Sequence, residues 1–103
     1  MFFKPKFDVT AQEAWHNMTT QSIYVLDCRE VYEYEEGHIP HAHLIPLQEI
    51  EARAREIPKH TTIYVYCRSG HRAKSAKKKL EALGYTQVYN IGGVVQWPYE
   101  LVK

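Results

Sequence analysis

The sequence predicts an α/β domain built on a mainly parallel sheet, and three observations carry that reading. Short β-branched and aromatic runs, clearest at Ile23–Asp27 and Thr62–Tyr66, alternate with stretches of helical periodicity. Strands alternating with helices favour parallel pairing through helical crossovers. Two residues with chemical capacity, Asp27 and Cys67, fall at the carboxyl ends of those strands, the edge where such sheets bind ligands. With 103 residues and 45% hydrophobic content, the chain suits one compact domain over 1–103.

Taken in order, Thr10 followed by Glu13 is a capping box that opens a helix running through Met18. Ile23–Asp27 is a buried strand. Glu30 to Glu36 is a short helix stopped at Gly37. Ala42 to Pro46 is a short apolar run, a further strand. Leu47 to Glu56 is helical, with Leu47, Ile50, Ala54 and Ile57 near helical spacing and Pro58 closing it. Thr62–Tyr66 is the second clear strand and stops at Cys67. A helix from His71 to Leu83 carries an apolar stripe of Ala73, Ala76, Leu80 and Leu83, with Gly84 past its end as a cap. Gln87 to Ile91 is the last strand, followed by Gly92-Gly93 and a short helix or turn around Trp97.

Charge excludes some functions and leaves others. A formal net charge of +1 gives no global field for nucleic acid or membrane. Locally, Lys59 to Lys79 holds seven cations and no carboxylate, whereas Glu30 to Glu36 holds four carboxylates and no cation. Both runs read first as solvated helix faces. The basic helix lacks the aromatic interleaving of a nucleic-acid surface, so no direct nucleic-acid binding is expected. Residues 1–6 contain no apolar run of signal-peptide length, and no stretch approaches a membrane span. Cys28 and Cys67 form no CxxC pair, which suits free thiols in a cytoplasmic protein, with a structural disulfide between the two as the alternative.

The segment Cys67-Arg68-Ser69-Gly70-His71-Arg72 has the form strand, nucleophile, tight loop, helix. A loop entering a helix turns several backbone N–H groups towards one point, with the positive end of the helix dipole behind them. A cysteine at its start can be the anion held there, so its pKa falls. Arg68 and Arg72 add to that, and Gly70 supplies the backbone freedom a cradle needs. The alternative is an inert thiol buried at a strand end.

Several stretches together resemble the rhodanese-like family. Leu26-Asp27-Cys28-Arg29-Glu30, Glu33-Tyr34, Gly37-His38-Ile39-Pro40, Ala42 and Ile45-Pro46 are similar to its front half. Val65 to Arg72 resembles its active-site loop. Leu83-Gly84-Tyr85, Val88-Tyr89, Gly92-Gly93 and Trp97 resemble its end. The resemblance implies a doubly wound parallel sheet of about five strands flanked by helices. It also implies a thiosulfate-type sulfurtransferase, with Cys67 as the nucleophile that becomes a persulfide. Arg68, Ser69, Gly70, His71 and Arg72 would bind the donor and the persulfide. Asp27, with Arg29, would support the loop, and one loop arginine could instead clamp Asp27. The implied partners are a small anionic donor such as thiosulfate and a thiol or cyanide acceptor. A sulfur-relay module serving another protein is the alternative, and no cofactor is called for.

Related phosphatases and arsenate reductases carry one more residue before the arginine, and the shorter loop here suits a single sulfur atom. The sequence departs from the family at Cys28, where valine is common, and at His41, where glycine is usual. His71 stands for a frequent asparagine and Ala73 for a serine. Cys28 reads first as packing in the place of valine; the other reading makes it a resolving partner for oxidised Cys67. His38, His41 and His43 fit no standard zinc spacing, so no metal is expected.

Overall fold

A computed structural model describes residues 6–103; the reading of the first five residues lies outside them. In chain order the elements are α1 (Ala11–Thr20), β1 (Ile23–Asp27), α2 (Val31–Glu36), β2 (His43–Leu44), α3 (Ile50–Arg53), β3 (Thr62–Cys67), α4 (His71–Ala82) and β4 (Val88–Gly93). Every strand pairing is parallel, in the order β2-β1-β3-β4. The described residues thus give four strands, close to the five implied by the resemblance. The Asp8 amide adds one backbone bond to the Asn90 carbonyl (2.9 Å) beside the outer edge of β4.

Both faces of the sheet are covered, because each strand alternates its side chains between two apolar clusters. Leu26, Cys28, Ile63, Val65 and Cys67 face Ala73, Ala76 and Leu80 of α4 and Ile50 of α3. Val25, Tyr64, Tyr66 and Ile91 face Ala14 of α1, Ile39 and Trp97. Leu26, Ile63, Val65 and Leu80 are fully buried, and each contributes about 1.5–3 kcal/mol through its lost apolar surface. Among the described residues no helix is long and apolar enough to cross a membrane.

The capping box forms as expected: Thr10 Oγ1 accepts from the Glu13 amide at 3.1 Å, and Glu13 Oε1 accepts from the Thr10 amide at 3.4 Å. Four expected elements change. The run from Leu47 to Glu56 is one α turn, Ile50–Arg53, between two 3-10 turns rather than a continuous helix. Ala42 to Pro46 pairs only at His43–Leu44. The third strand continues through Cys67, and β4 runs on to Gly93. Trp97 caps a 3-10 turn, Val94–Gln96, and packs edge-on to Trp15 at 6.3 Å. His41 takes a left-handed φ of 69°, a conformation that favours glycine.

Candidate active site

Cys67 ends β3 and lies at 1% exposure against the first turn of α4. Its Sγ accepts hydrogen bonds from the Gly70 amide at 3.0 Å and the Ala73 amide at 3.4 Å. The chain bends back here because Gly70, the residue before α4, takes a left-handed φ of 102°. A Cβ on Gly70 would sit 2.5 Å from Phe7 Cε1, so glycine is also needed for space. A register shift between β3 and β4 sets Gly93 opposite Cys67. A Cβ on Gly93 would land on the Arg68 backbone, so the close approach of β4 to the loop requires glycine there too.

The cysteine environment favours thiolate. The Cys67 thiol is pushed down from 9.0 to about 5, first by the neighbouring Cys28 thiol and then by the amides of Ala73, Gly70 and Ser69, with burial opposing them. The same proximity, with burial, pushes Cys28 well up. The Cys28 sulfur also lies 3.4 Å from the Tyr66 carbonyl, so its proton has two takers. The amide contacts are therefore the firmer support of the thiolate. Both cysteines are free thiols on the same face of the sheet.

The structure gives the arginines their contacts. Arg72 faces back to α2, where its guanidinium binds Glu33 through both oxygens at 2.6 and 2.9 Å. This contact holds the Glu33 carboxyl at about 2. Glu33 also accepts from the Glu30 amide at 3.0 Å, which ties the start of α2 to the start of α4. Neither Arg68 nor Arg72 clamps Asp27. Arg29 does, with contacts of 2.8–3.1 Å from its side chain and backbone, and its Nη2 continues to the Gly37 carbonyl at 2.8 Å. The pair is buried beside Tyr66, on the sheet face opposite Cys67, where it braces the Gly37–Ile39 turn; any support it lends the cysteine loop is indirect. Arg68, Ser69 and His71 remain exposed.

Sequence reasoning missed three contributors to this geometry. Glu33 stood in the acidic run and in the Glu33-Tyr34 stretch of the resemblance, with nothing to tie it to Arg72. Asn90 donates to the Gly70 carbonyl at 3.1 Å and accepts from the Gly92 amide at 2.9 Å, fastening β4 to the loop. Phe7 lies over both Gly70 and Gly92. Asn90 and Phe7 carry no reactive chemistry, and only the two flanking glycines hinted at a crowded backbone. His38 and His43 stack on Tyr34 and Tyr24 at 3.7 and 4.2 Å, which accounts for them as packing groups.

Fold and site define a class: a parallel α/β domain whose strand-end cysteine is stabilised as thiolate by the amides that open a helix. The family model for the rhodanese-like domain matches residues 10–99, and the chain belongs to that family. It is 40% identical over 78 residues to a putative sulfur carrier protein, YrkF, of Bacillus subtilis, covering 75% of this chain and 42% of that one. It is 38% identical over 79 residues to a sulfurtransferase of Allochromatium vinosum, covering 76% and 74%. It is 39% identical over 71 residues to the thiosulfate sulfurtransferase PspE of Escherichia coli, covering 67% and 68%. The chain thus spans less than half of the first of these relatives and about three-quarters of the second. Among solved structures, a rhodanese-like domain protein from Staphylococcus aureus superposes with a TM-score of 0.83 at 29% identity, covering 91% of this chain and 94% of that one. A rhodanese with anions from E. coli gives 0.74 at 34% identity, covering 80% and 99%.

Proposed function

We propose that this chain is a sulfurtransferase in which Cys67 carries sulfane sulfur as a persulfide, with thiosulfate as a donor. The observation that carries the reading is the Cys67 sulfur held by the Gly70 and Ala73 amides at the start of α4. The Cys67 thiolate attacks the outer sulfur of thiosulfate. A bond forms between the two sulfurs, the bond to the sulfonate breaks, and sulfite leaves with the electron pair. The product, Cys–S–S⁻, is again an anion, of the kind that backbone amides at a helix start stabilise. A thiolate or cyanide then attacks that outer sulfur and restores the Cys67 thiolate. Splitting transfer into two displacements on one nucleophile gives ping-pong kinetics.

With Arg72 bound to Glu33, Arg68 is the loop cation left to meet an anion, together with the amides. The names of two similar proteins, thiosulfate sulfurtransferase and sulfur carrier, support turnover and relay respectively. The test is intact-protein mass after incubation with thiosulfate, beside a Cys67→Ser variant. The wild type should gain about 32 Da, one sulfur on an activated thiolate, and the variant nothing. Equal gain in both would exclude Cys67. Cyanide turnover of the loaded protein then separates enzyme from relay.

A further inference from the structure

Outside the cradle, the loop opens onto a basic surface of which the chemistry at Cys67 uses only Arg68. Arg29, Arg53, Arg72, Lys77 and Lys79 are each bound to carboxylates. Arg68, Lys74 and Lys78 are exposed and have no ion-pair partner among the described residues. His71, Lys74 and Lys78 are spaced by three and four residues, so they lie along one face of α4 starting at the loop. A cleft of about 200 Å³ touches Ser69, Gly70, His71 and Lys74. A second, of about 330 Å³, shares Lys74 and continues past Lys77 and Lys78. Its lining sets Lys6, Lys74, Lys77 and Lys78 against Asp8 and Glu81, a net charge of +2. Asp8 is already held by Lys77 at 2.7 Å and by the Asn90 amide at 2.8 Å.

Folding gives no reason for this arrangement. Cations near a helix N-terminus oppose the helix dipole, and like charges at this spacing repel. The first turn of α4 has no acidic residue to offset them. From His71 to Lys78 the stripe is about 10 Å long at 1.5 Å per residue, more than a sulfur oxyanion can span. Phe7, which lines both clefts, is packed onto Gly70 and Gly92, and one ring falls short of the series of platforms on which successive bases stack.

Building on the persulfide reading, we infer that the Arg68–Lys78 face docks an acidic segment of a partner protein whose cysteine exchanges sulfur with Cys67. The charge brings that segment to α4, and the loop at its head places the partner sulfur at the persulfide. In the forward step the partner thiolate attacks the outer sulfur of Cys67–S–S⁻. The sulfur–sulfur bond to Cys67 breaks, the partner becomes the persulfide and Cys67 returns to thiolate.

The probes are synthetic peptides: Glu-Glu-Glu-Glu-Gly-Cys-Gly, its glutamine counterpart and a Cys→Ser version of the acidic one. Stopped-flow discharge of the persulfide is read for the two cysteine peptides. Fluorescence anisotropy reads binding of the serine peptide, which needs no persulfide. The acidic cysteine peptide should react at least about tenfold faster than the glutamine peptide at low ionic strength. That preference should shrink to about twofold near 1 M salt, where the Debye length is about 3 Å. Lys74→Glu with Lys78→Glu should abolish it, and the paired alanine variants should fall between. Equal rates for the two cysteine peptides on the wild type would overturn the docking assignment. So would an oligouridine that binds more tightly than the serine peptide, which would give the face to RNA. Binding of the serine peptide with no persulfide formed from any donor would leave docking standing and overturn the transfer reading.

Discussion

Replacing Cys28 with valine should raise the pH at which Cys67 becomes nucleophilic. The depression of Cys67 from 9.0 to about 5 corresponds to roughly 5 kcal/mol in favour of thiolate. A hydrogen bond to a charged group contributes about 1.5–3 kcal/mol. The two amide contacts at 3.0 and 3.4 Å therefore account for most of the effect, at roughly 3–6 kcal/mol together before the opposing cost of burial. The Cys28 share belongs at the lower end of the single-bond range, because its thiol also faces the Tyr66 carbonyl at 3.4 Å. About 1.5 kcal/mol is about one pH unit. The wild-type midpoint should thus lie near 5, and that of Cys28→Val about one pH unit higher. Cys28 is 1% exposed among apolar neighbours, so valine keeps the packing at a cost below about 1.5 kcal/mol. The assay is the rate of iodoacetamide alkylation between about pH 4 and pH 10, followed by intact mass. A wild-type midpoint near that of a free cysteine would refute the cradle. Coincident midpoints for the two proteins would remove Cys28 from the site and leave the amides alone.

Three further outcomes follow from the same geometry. Folded Cys67 holds fewer protons than unfolded Cys67 between about pH 5 and 9. Its contribution to stability is therefore complete above pH 9 and is lost as pH falls through 5, changing by at most about 1.4 kcal/mol per pH unit; urea denaturation of wild type and Cys67→Ala should diverge with rising pH, and a constant gap would contradict this. Glu33→Gln releases Arg72 from contacts of 2.6 and 2.9 Å. The loss should be about 1–2 kcal/mol, moderated because Arg72 is one-third exposed, while the freed guanidinium lowers KM for thiosulfate; an unchanged KM would place Arg72 out of the donor's reach. Gly70→Ala forces a side chain onto a φ of 102° and against Phe7, costing about 2–3 kcal/mol and slowing Cys67 alkylation at pH 6; denaturation indistinguishable from wild type would show that the loop relaxes freely.

Much of this protein is legible from local pattern alone. Ile23–Asp27 and Thr62–Tyr66 are strands wherever they are buried, since β-branched and aromatic residues suit a pleated surface covered on both sides. The Thr10 and Glu13 pair, the apolar stripe of α4 and the strand-to-helix turn at Cys67 rest on spacing within a few residues. Interactions of that range are written into the order of the chain. The break of Leu47–Glu56 into short turns was not legible, because its apolar spacing fits a helix. The partners of the charged groups were not legible either. Glu33 meets Arg72 across 39 residues, and Asn90 meets Gly70 across 20. Charge and amide groups have no period to betray their partners. The sequence by itself determined the two clear strands, α1, α4 and the placing of Cys67 at a strand-to-helix junction. Tertiary packing decided which arginine is tethered, which face of the sheet Asp27 serves and which cations stay free, because those depend on contacts between segments that only the folded sheet brings together.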